Sequence, residues 1–343
     1  MKKLFFSGWL LLLLASAGAQ RSDILSDPDV VWAAEIEMLL VFDGAGHIPE
    51  SADTLNTVAV LKDQHTGRQD ELFYRPDGLT DHLFQMAWSG SSPVFAGNDP
   101  GRPLSLSDLD KLLVYRDTAV LWFDNESSDV LVMETGPEDC PYLRVRQLLF
   151  YRARTADFGL ITLAIGPALP DGRVLFWWNV PAEKRADMRK FPSLDNPNIH
   201  WARRIRTNNV SPDLKQLHSL KQPDYAVMPD FLSAARNRAA VELFDVDWKP
   251  LSLERREQVF SRIDTLETFD FEAFEEHIVT QPFLLNPDLV GRLRLVQNWY
   301  WDDKRQMLLT RLVAVAPLQE IRSDDGAFRY WRPLFYRKCT AGR

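Results

Sequence analysis

Cysteine is scarce in this chain of 343 residues, with Cys140 and Cys339 the only two. No histidine stands beside either, so they do not make a zinc site. The six histidines, His47, His65, His82, His200, His218 and His277, never pair at metal-ligand spacing. Glu275-Glu276-His277 reads as one charged helical turn on a solvated face. A Gly-x-Ser-x-Gly elbow and a phosphate-binding glycine loop are also missing. No cofactor, metal or enzymatic activity is therefore expected. The net charge is −8 and no basic cluster offsets it. That balance argues against nucleic acid or anionic lipid as the main partner. After the first twenty residues, no stretch approaches the roughly 20 apolar residues of a membrane helix.

What the chain does have begins at its start, "MKKLFFSGWLLLLLASAGAQ". Lys2 and Lys3 precede an apolar run from Leu4 to about Ala15, and Ala17-Gly18-Ala19 follows. This pattern predicts a signal peptide over 1–19, cut between Ala19 and Gln20. Loss of the two lysines takes the net charge from −8 to −10. Export would place both cysteines in an oxidising compartment. A disulfide between Cys140 and Cys339 and two separately buried thiols are both open, because disulfide geometry is strict and sequence gives no distance. The length that remains suits about two domains.

Three landmarks recur in one order. "DPDVVWAAEI" (Asp27–Ile36) matches "DNPNIHWARRI" (Asp195–Ile205), and both read as a helix with Pro in its first turn and Trp on its inner face. "RPLSLSDLDKLL" (Arg102–Leu113) matches "KPLSLERREQVF" (Lys249–Phe260), each a helix start capped by serine. "YLRVRQLLFY" (Tyr142–Tyr151) matches "RLRLVQNWYW" (Arg292–Trp301), placing Gln147 on Gln297 and Tyr151 on Trp301. In the same register Pro167 meets Pro317, and after a small insertion Asp171–Trp178 meets Asp325–Arg332. An ordered set of this kind indicates duplicated domains rather than a solenoid of short units.

The expected architecture is α+β, with two tandem similar domains over 20–181 and 197–343. A charged, Pro-containing linker over 182–196 separates them. Each domain reads as helices packed on an antiparallel sheet that ends in a three-strand meander. Outside the landmarks, a hairpin is expected at Thr57–Phe73, a helix at Leu79–Trp88, and strands at Thr118–Phe123 and Asp129–Glu134. Further helices are expected at Phe231–Ala240 and Phe271–Val279.

Two constellations could carry function. Trp177, Trp178, Trp299, Trp301 and Trp331 lie on the closing strands, where aromatics serve as core, as protein interface or as a sugar platform. Asp302 and Asp303 are adjacent carboxylates able in principle to do acid–base work, which leaves a periplasmic carbohydrate-binding protein or hydrolase as an alternative. In a strand-to-strand turn such a pair is more often hydrated or ion-paired.

The segment Val296–Cys339 resembles the GldN/PorN family of gliding motility and type IX secretion. The likeness rests on the Trp-aromatic-aromatic-Asp turn at Trp299–Asp302, the strand ending Ala316-Pro317, the string Pro333-Leu334-Phe335-Tyr336 and the closing Cys339. "IHWARRIR" (Ile199–Arg206) resembles the family's early Trp segment. The resemblance implies a non-enzymatic periplasmic structural component, held at the outer membrane through a GldK/PorK-like lipoprotein. Other secretion-ring components and a higher-order oligomer would be its setting. The family carries such a domain once, whereas this chain places a second, divergent copy in front.

Overall fold

The computed structural model describes residues 21–42, 57–61, 78–97, 99–117, 131–180, 199–207, 218–270, 275–302, 304, 307–323 and 326–339. The leader over 1–19 and the linker over 182–196 lie outside them. A helical turn at 21–26 leads into β1 (Val30–Phe42). The chain then forms β2 (Thr57–Leu61), α1 (Gly78–Ser89), β3 (Val94–Ala96), β4 (Asp99–Pro103) and α2 (Leu106–Leu113). β5 (Val114–Asp117), β6 (Leu131–Glu134), β7 (Tyr142–Arg152), β8 (Asp157–Ala168) and β9 (Phe176–Asn179) follow. Next come β10 (Ile199–Arg206), β11 (Ser219–Lys221), α3 (Val227–Asn237), β12 (Leu243–Phe244) and α4 (Leu253–Phe260). The last run is β13 (Ser261–Asp270), β14 (Glu275–Leu284), β15 (Arg292–Asp302), β16 (Met307–Arg322), β17 (Phe328–Pro333) and β18 (Tyr336–Lys338).

These strands make two main sheets and two ribbons. The larger sheet runs β11-β1-β7-β8-β9-β3-β4, with β2 parallel to the far end of β1. The smaller runs β10-β15-β16-β18-β12, with β17 also on β16. β5–β6 and β13–β14 are two-stranded ribbons. Sheet pairing is otherwise antiparallel, so the chain is α+β as its composition of elements suggested.

The expected Trp helices are strands. Trp32 lies in β1 and Trp201 in β10, paired antiparallel with β7 and β15. For β1 the cause is burial on both faces. Trp32, Ala34, Ile36, Met38 and Leu40 enter the two main apolar clusters, while Ala33, Leu39 and Val41 enter others. A strand covered on both sides reads as an apolar run and loses the alternation that marks a half-buried strand. Helix was likewise expected at Phe271–Val279, but β14 begins at Glu275, with 271–274 outside the described residues. Of the expected hairpin at Thr57–Phe73, only Thr57–Leu61 is described, and it pairs parallel with β1. The strand expected at Thr118–Phe123 lies outside the described residues.

Elements with local signals stand where the sequence put them. Asp108 N–H donates to Ser105 Oγ (3.1 Å) and Ser105 N–H to Asp108 Oδ2 (3.2 Å), a complete capping box at the start of α2. Ser252 caps α4 by accepting from Arg255 N–H (3.2 Å). The helices expected at Leu79–Trp88 and Phe231–Ala240 appear as α1 and α3.

The two sheets share their hydrogen-bonding irregularities. The β1–β7 register shifts between Val30 and Trp32, and β10–β15 shifts between Ile199 and Trp201. A shift between Arg146 and Gln147 has its counterpart between Val296 and Gln297. Leu104 N–H meets Val94 O at 2.9 Å, and Leu251 N–H meets Leu243 O at 2.8 Å. Leu175 N–H reaches Pro167 O, and Leu334 N–H reaches Pro317 O, each at 3.0 Å.

Apolar packing mixes residues from both sides of the expected linker. One cluster joins Trp32, Tyr151 and Phe158 of the larger sheet to Phe231 of α3 and Phe335. Another joins Leu83 of α1, Leu143 and Trp178 to Ile205, Trp299 and Trp301. Phe231 meets the Phe158 ring edge-on at 5.1 Å, and His82 of α1 stacks on Trp301 at 5.1 Å. Each of these helices therefore contacts strands from the other part of the chain. A buried polar joint also spans the two parts. Gln147 Nε2 donates to Gln297 Oε1 (2.9 Å), and Gln297 Nε2 returns a longer bond to Gln147 Oε1 (3.3 Å). Gln147 Nε2 also reaches Thr162 Oγ1 (3.2 Å), whose hydroxyl lies 2.8 Å from that of Thr310. Trp299 Nε1 adds a 2.9 Å bond to Gln297 Oε1.

Candidate interaction surface

Most of the aromatics singled out from the sequence are interior. Trp177, Trp178, Trp299 and Trp301 are all buried, with Trp299 and Trp301 at 0% exposure. Their polar edges are used inside the fold: Trp177 Nε1 donates to Gly97 O (3.1 Å) and Trp178 Nε1 to Ser92 Oγ (2.9 Å). These four are thus core side chains, three of them with a bonded N–H, and offer no open face for a sugar ring. Trp331 alone is half-buried, with the Arg292 guanidinium 4.5 Å from its ring centre.

Asp302 closes β15 and is buried, whereas Asp303 lies outside the described residues. Glu275, Glu276 and His277 fall on a strand rather than a helical turn. No group of three or more potential metal ligands gathers among the described residues. Nor is any described helix long and apolar enough to cross a membrane.

Cys140 and Cys339 are free and buried, and they belong to different apolar clusters. Burial, followed by the nearby carboxylates of Asp139 and Glu138, pushes the Cys140 thiol up to about 12. Burial, and after it Asp157, raises Cys339 well above the ordinary thiol value. Both environments disfavour the reactive thiolate. A third perturbed group, Tyr151, donates to Asp230 Oδ2 of α3 (2.8 Å), and burial raises its phenol strongly.

Two exposed aromatic side chains occur instead on β17, which pairs with β16. β15 pairs with β16 only as far as Leu318, while β17 continues beside β16 to Arg322. Gln319–Arg322 and β17 thus form a two-stranded arm running beyond the sheet. Its turn is closed by Ser323 N–H to Ala327 O and Gly326 N–H to Ser323 O, both 2.8 Å. Gly326 has φ +82°, a conformation that side chains disfavour. On β17, Phe328 is 54% and Tyr330 52% exposed.

The matching hairpin after β8 is shorter. It closes at Ala168–Val174 and uses the same turn bonds, Leu169 N–H to Arg173 O and Gly172 N–H to Leu169 O. Pro167 and Pro317 stand 150 residues apart but Leu175 and Leu334 stand 159 apart, so the second hairpin carries nine extra residues. The sequence alignment, which set Asp171–Trp178 on Asp325–Arg332, placed only four extra residues here; the matched bonds of Leu175 and Leu334 correct that register, and the difference covers the exposed Phe328, Arg329 and Tyr330. The available signal was a turn dipeptide, Asp325-Gly326, followed by a strand with large apolar groups on both faces.

Compared with protein-family models, curated proteins and solved structures, the chain matches none of them.

Proposed function

We propose that this chain is a non-enzymatic structural subunit of an envelope assembly of the secretion and gliding-motility kind. In this reading it is exported, lies in the periplasm and is held at the outer membrane by a lipoprotein partner. The observation that carries the reading is the β16–β17 arm. It lies within Val296–Cys339, the segment resembling GldN/PorN, and it exposes Phe328 and Tyr330 where packing does not require them. Large apolar groups exposed together on a surface mark interaction sites.

Two tandem copies of one α+β unit are part of the same proposal. Shared register shifts, paired capped helices and matching turn bonds support it, since bulges are local features that unrelated sheets have no reason to share at matched positions. The copies would be folded around a shared joint at Gln147 and Gln297 rather than packed as separate bodies. A carbohydrate-binding or hydrolytic reading draws no support from the tryptophans, four of which are interior.

Gentle detergent extraction of envelopes followed by affinity isolation of the protein tests this reading. Recovery together with an outer-membrane lipoprotein in a high-mass fraction is expected. Isolation of the protein alone would overturn it.

A further inference from the structure

We propose that β17 is a docking edge on which a partner protein lays an extended, acidic segment as an added β-strand. The proposal deepens the reading of a partner-binding subunit and rests on it. The backbone supplies the first reason. β17 has one strand neighbour, β16, among the described residues, so its other edge offers main-chain groups to an incoming strand. Strand addition draws affinity from those groups and specificity from alternate side chains.

The side chains supply the second reason. Phe328 and Tyr330 are half exposed on an edge strand, an arrangement that leaves apolar area for an occupant to cover. The arm's extra length is not needed for closure, because the matching hairpin closes with the same turn and nine fewer residues.

Charge selects among occupants. β17 reads "FRYWRP" and holds Arg329 and Arg332 with no acid, although the chain as a whole is acidic. Arg332 donates to the neutral Gln319 Oε1 (2.9 Å), and Arg329 is exposed with no hydrogen bond or ion pair among the described residues. Neither cation is neutralised by these contacts, so an anionic strand gains from both. A second copy of the chain is the weaker candidate. Antiparallel self-pairing over the full strand sets Phe328 opposite Pro333 and therefore Arg329 opposite Arg332, and like charges directly opposed destabilise a strand pair.

The test uses the full mature protein and two labelled synthetic decapeptides, one alternating valine with glutamate and one alternating valine with lysine. Fluorescence anisotropy should show binding of the glutamate peptide, weakened by added salt, and no comparable binding of the lysine peptide. Arg329→Glu and Tyr330→Ser should each weaken it about tenfold, and Arg329→Gln less. Both positions of change are exposed, and unchanged circular dichroism would show the fold intact. Equal binding of both peptides, absence of binding, or binding indifferent to the substitutions would overturn the docking edge. Peptide binding without co-isolation of a lipoprotein would remove the envelope-subunit reading and leave the edge. Co-isolation that survives Arg329→Glu, without peptide binding, would do the reverse.

Discussion

Gln297 accepts two hydrogen bonds at the joint, from Gln147 Nε2 and from Trp299 Nε1, while being fully buried. Leucine there would strip the Trp299 N–H and the Gln147 side-chain carbonyl of their partners, while Gln147 Nε2 keeps Thr162; leucine at Gln147 strips only Gln297 Nε2 and leaves the Trp299–Gln297 bond in place. Each buried group left without a partner costs about 1–3 kcal/mol. Gln297→Leu is therefore expected to destabilise more than Gln147→Leu, and the double variant to cost less than the sum of the two. Urea unfolding at neutral pH checks both statements, and equal, additive losses would contradict the geometry. The sequence aligned these two glutamines as equivalents. It could not show that they touch, because contact between equivalents depends on how the two sheets face each other.

Buried phenols and thiols make a second prediction at this scale. Burial, and next Asp230, lifts Tyr225 to about 12, and Cys140 reaches about 12 by burial first. For a folded pKa above the unfolded one, the stabilising contribution is complete below the unfolded value and lost as pH rises through the folded value. The window here opens near the ordinary thiol and phenol values, roughly 8.5 and 10, and closes near 12. The urea midpoint should fall between pH 8 and 11; a flat profile would contradict the burial of these groups.

Among elements, the serine-capped helix starts were legible, whereas the two Pro-Trp segments read as helix starts are strands. A cap is a contact between neighbours in sequence, so Ser105–Asp108 and Ser252 could be read directly. Ser252→Ala should cost about 1 kcal/mol, measured by thermal or urea unfolding. Hydrogen bonds from the Ser105 side chain and backbone hold the Asp108 carboxyl below its ordinary value. Its contribution is thus present above the unfolded carboxyl value and lost as pH falls through the folded one. Asp108→Asn should destabilise at neutral pH, with the difference from wild type vanishing in acid. β1 misled because "VVWAAEIEMLLVF" is apolar on both faces, and its two glutamates are absorbed by cross-strand cations. Arg144 pairs with Glu37 at 2.7 Å and Arg146 with Glu35 at 3.3 Å.

For the whole molecule, the repeated order of landmarks was visible in the sequence, but the way the parts interlock was not. Phe231 occupies the larger sheet's aromatic cluster and His82 stacks on Trp301, contacts that no local pattern announces. Cleavage between 181 and 197 should accordingly leave two fragments that stay associated and unfold in one cooperative transition by calorimetry. Two separate transitions would contradict the mixed clusters. The binding surface was missed for a related reason. Tryptophan draws attention by type, yet four of those chosen fill the interior, while the exposed groups sit on an insertion whose importance lies in projecting past the sheet.

The most direct measurement replaces residues 319–332 with the short turn of 169–173, which makes the second hairpin match the first. Because the removed residues lie past the last β15–β16 pair and only Gln319 among the described ones is buried, the thermal midpoint should fall only slightly below that of the intact chain. Co-elution with the envelope lipoprotein partner should be lost. A shortened protein that keeps its partner would contradict the assignment of binding to the arm.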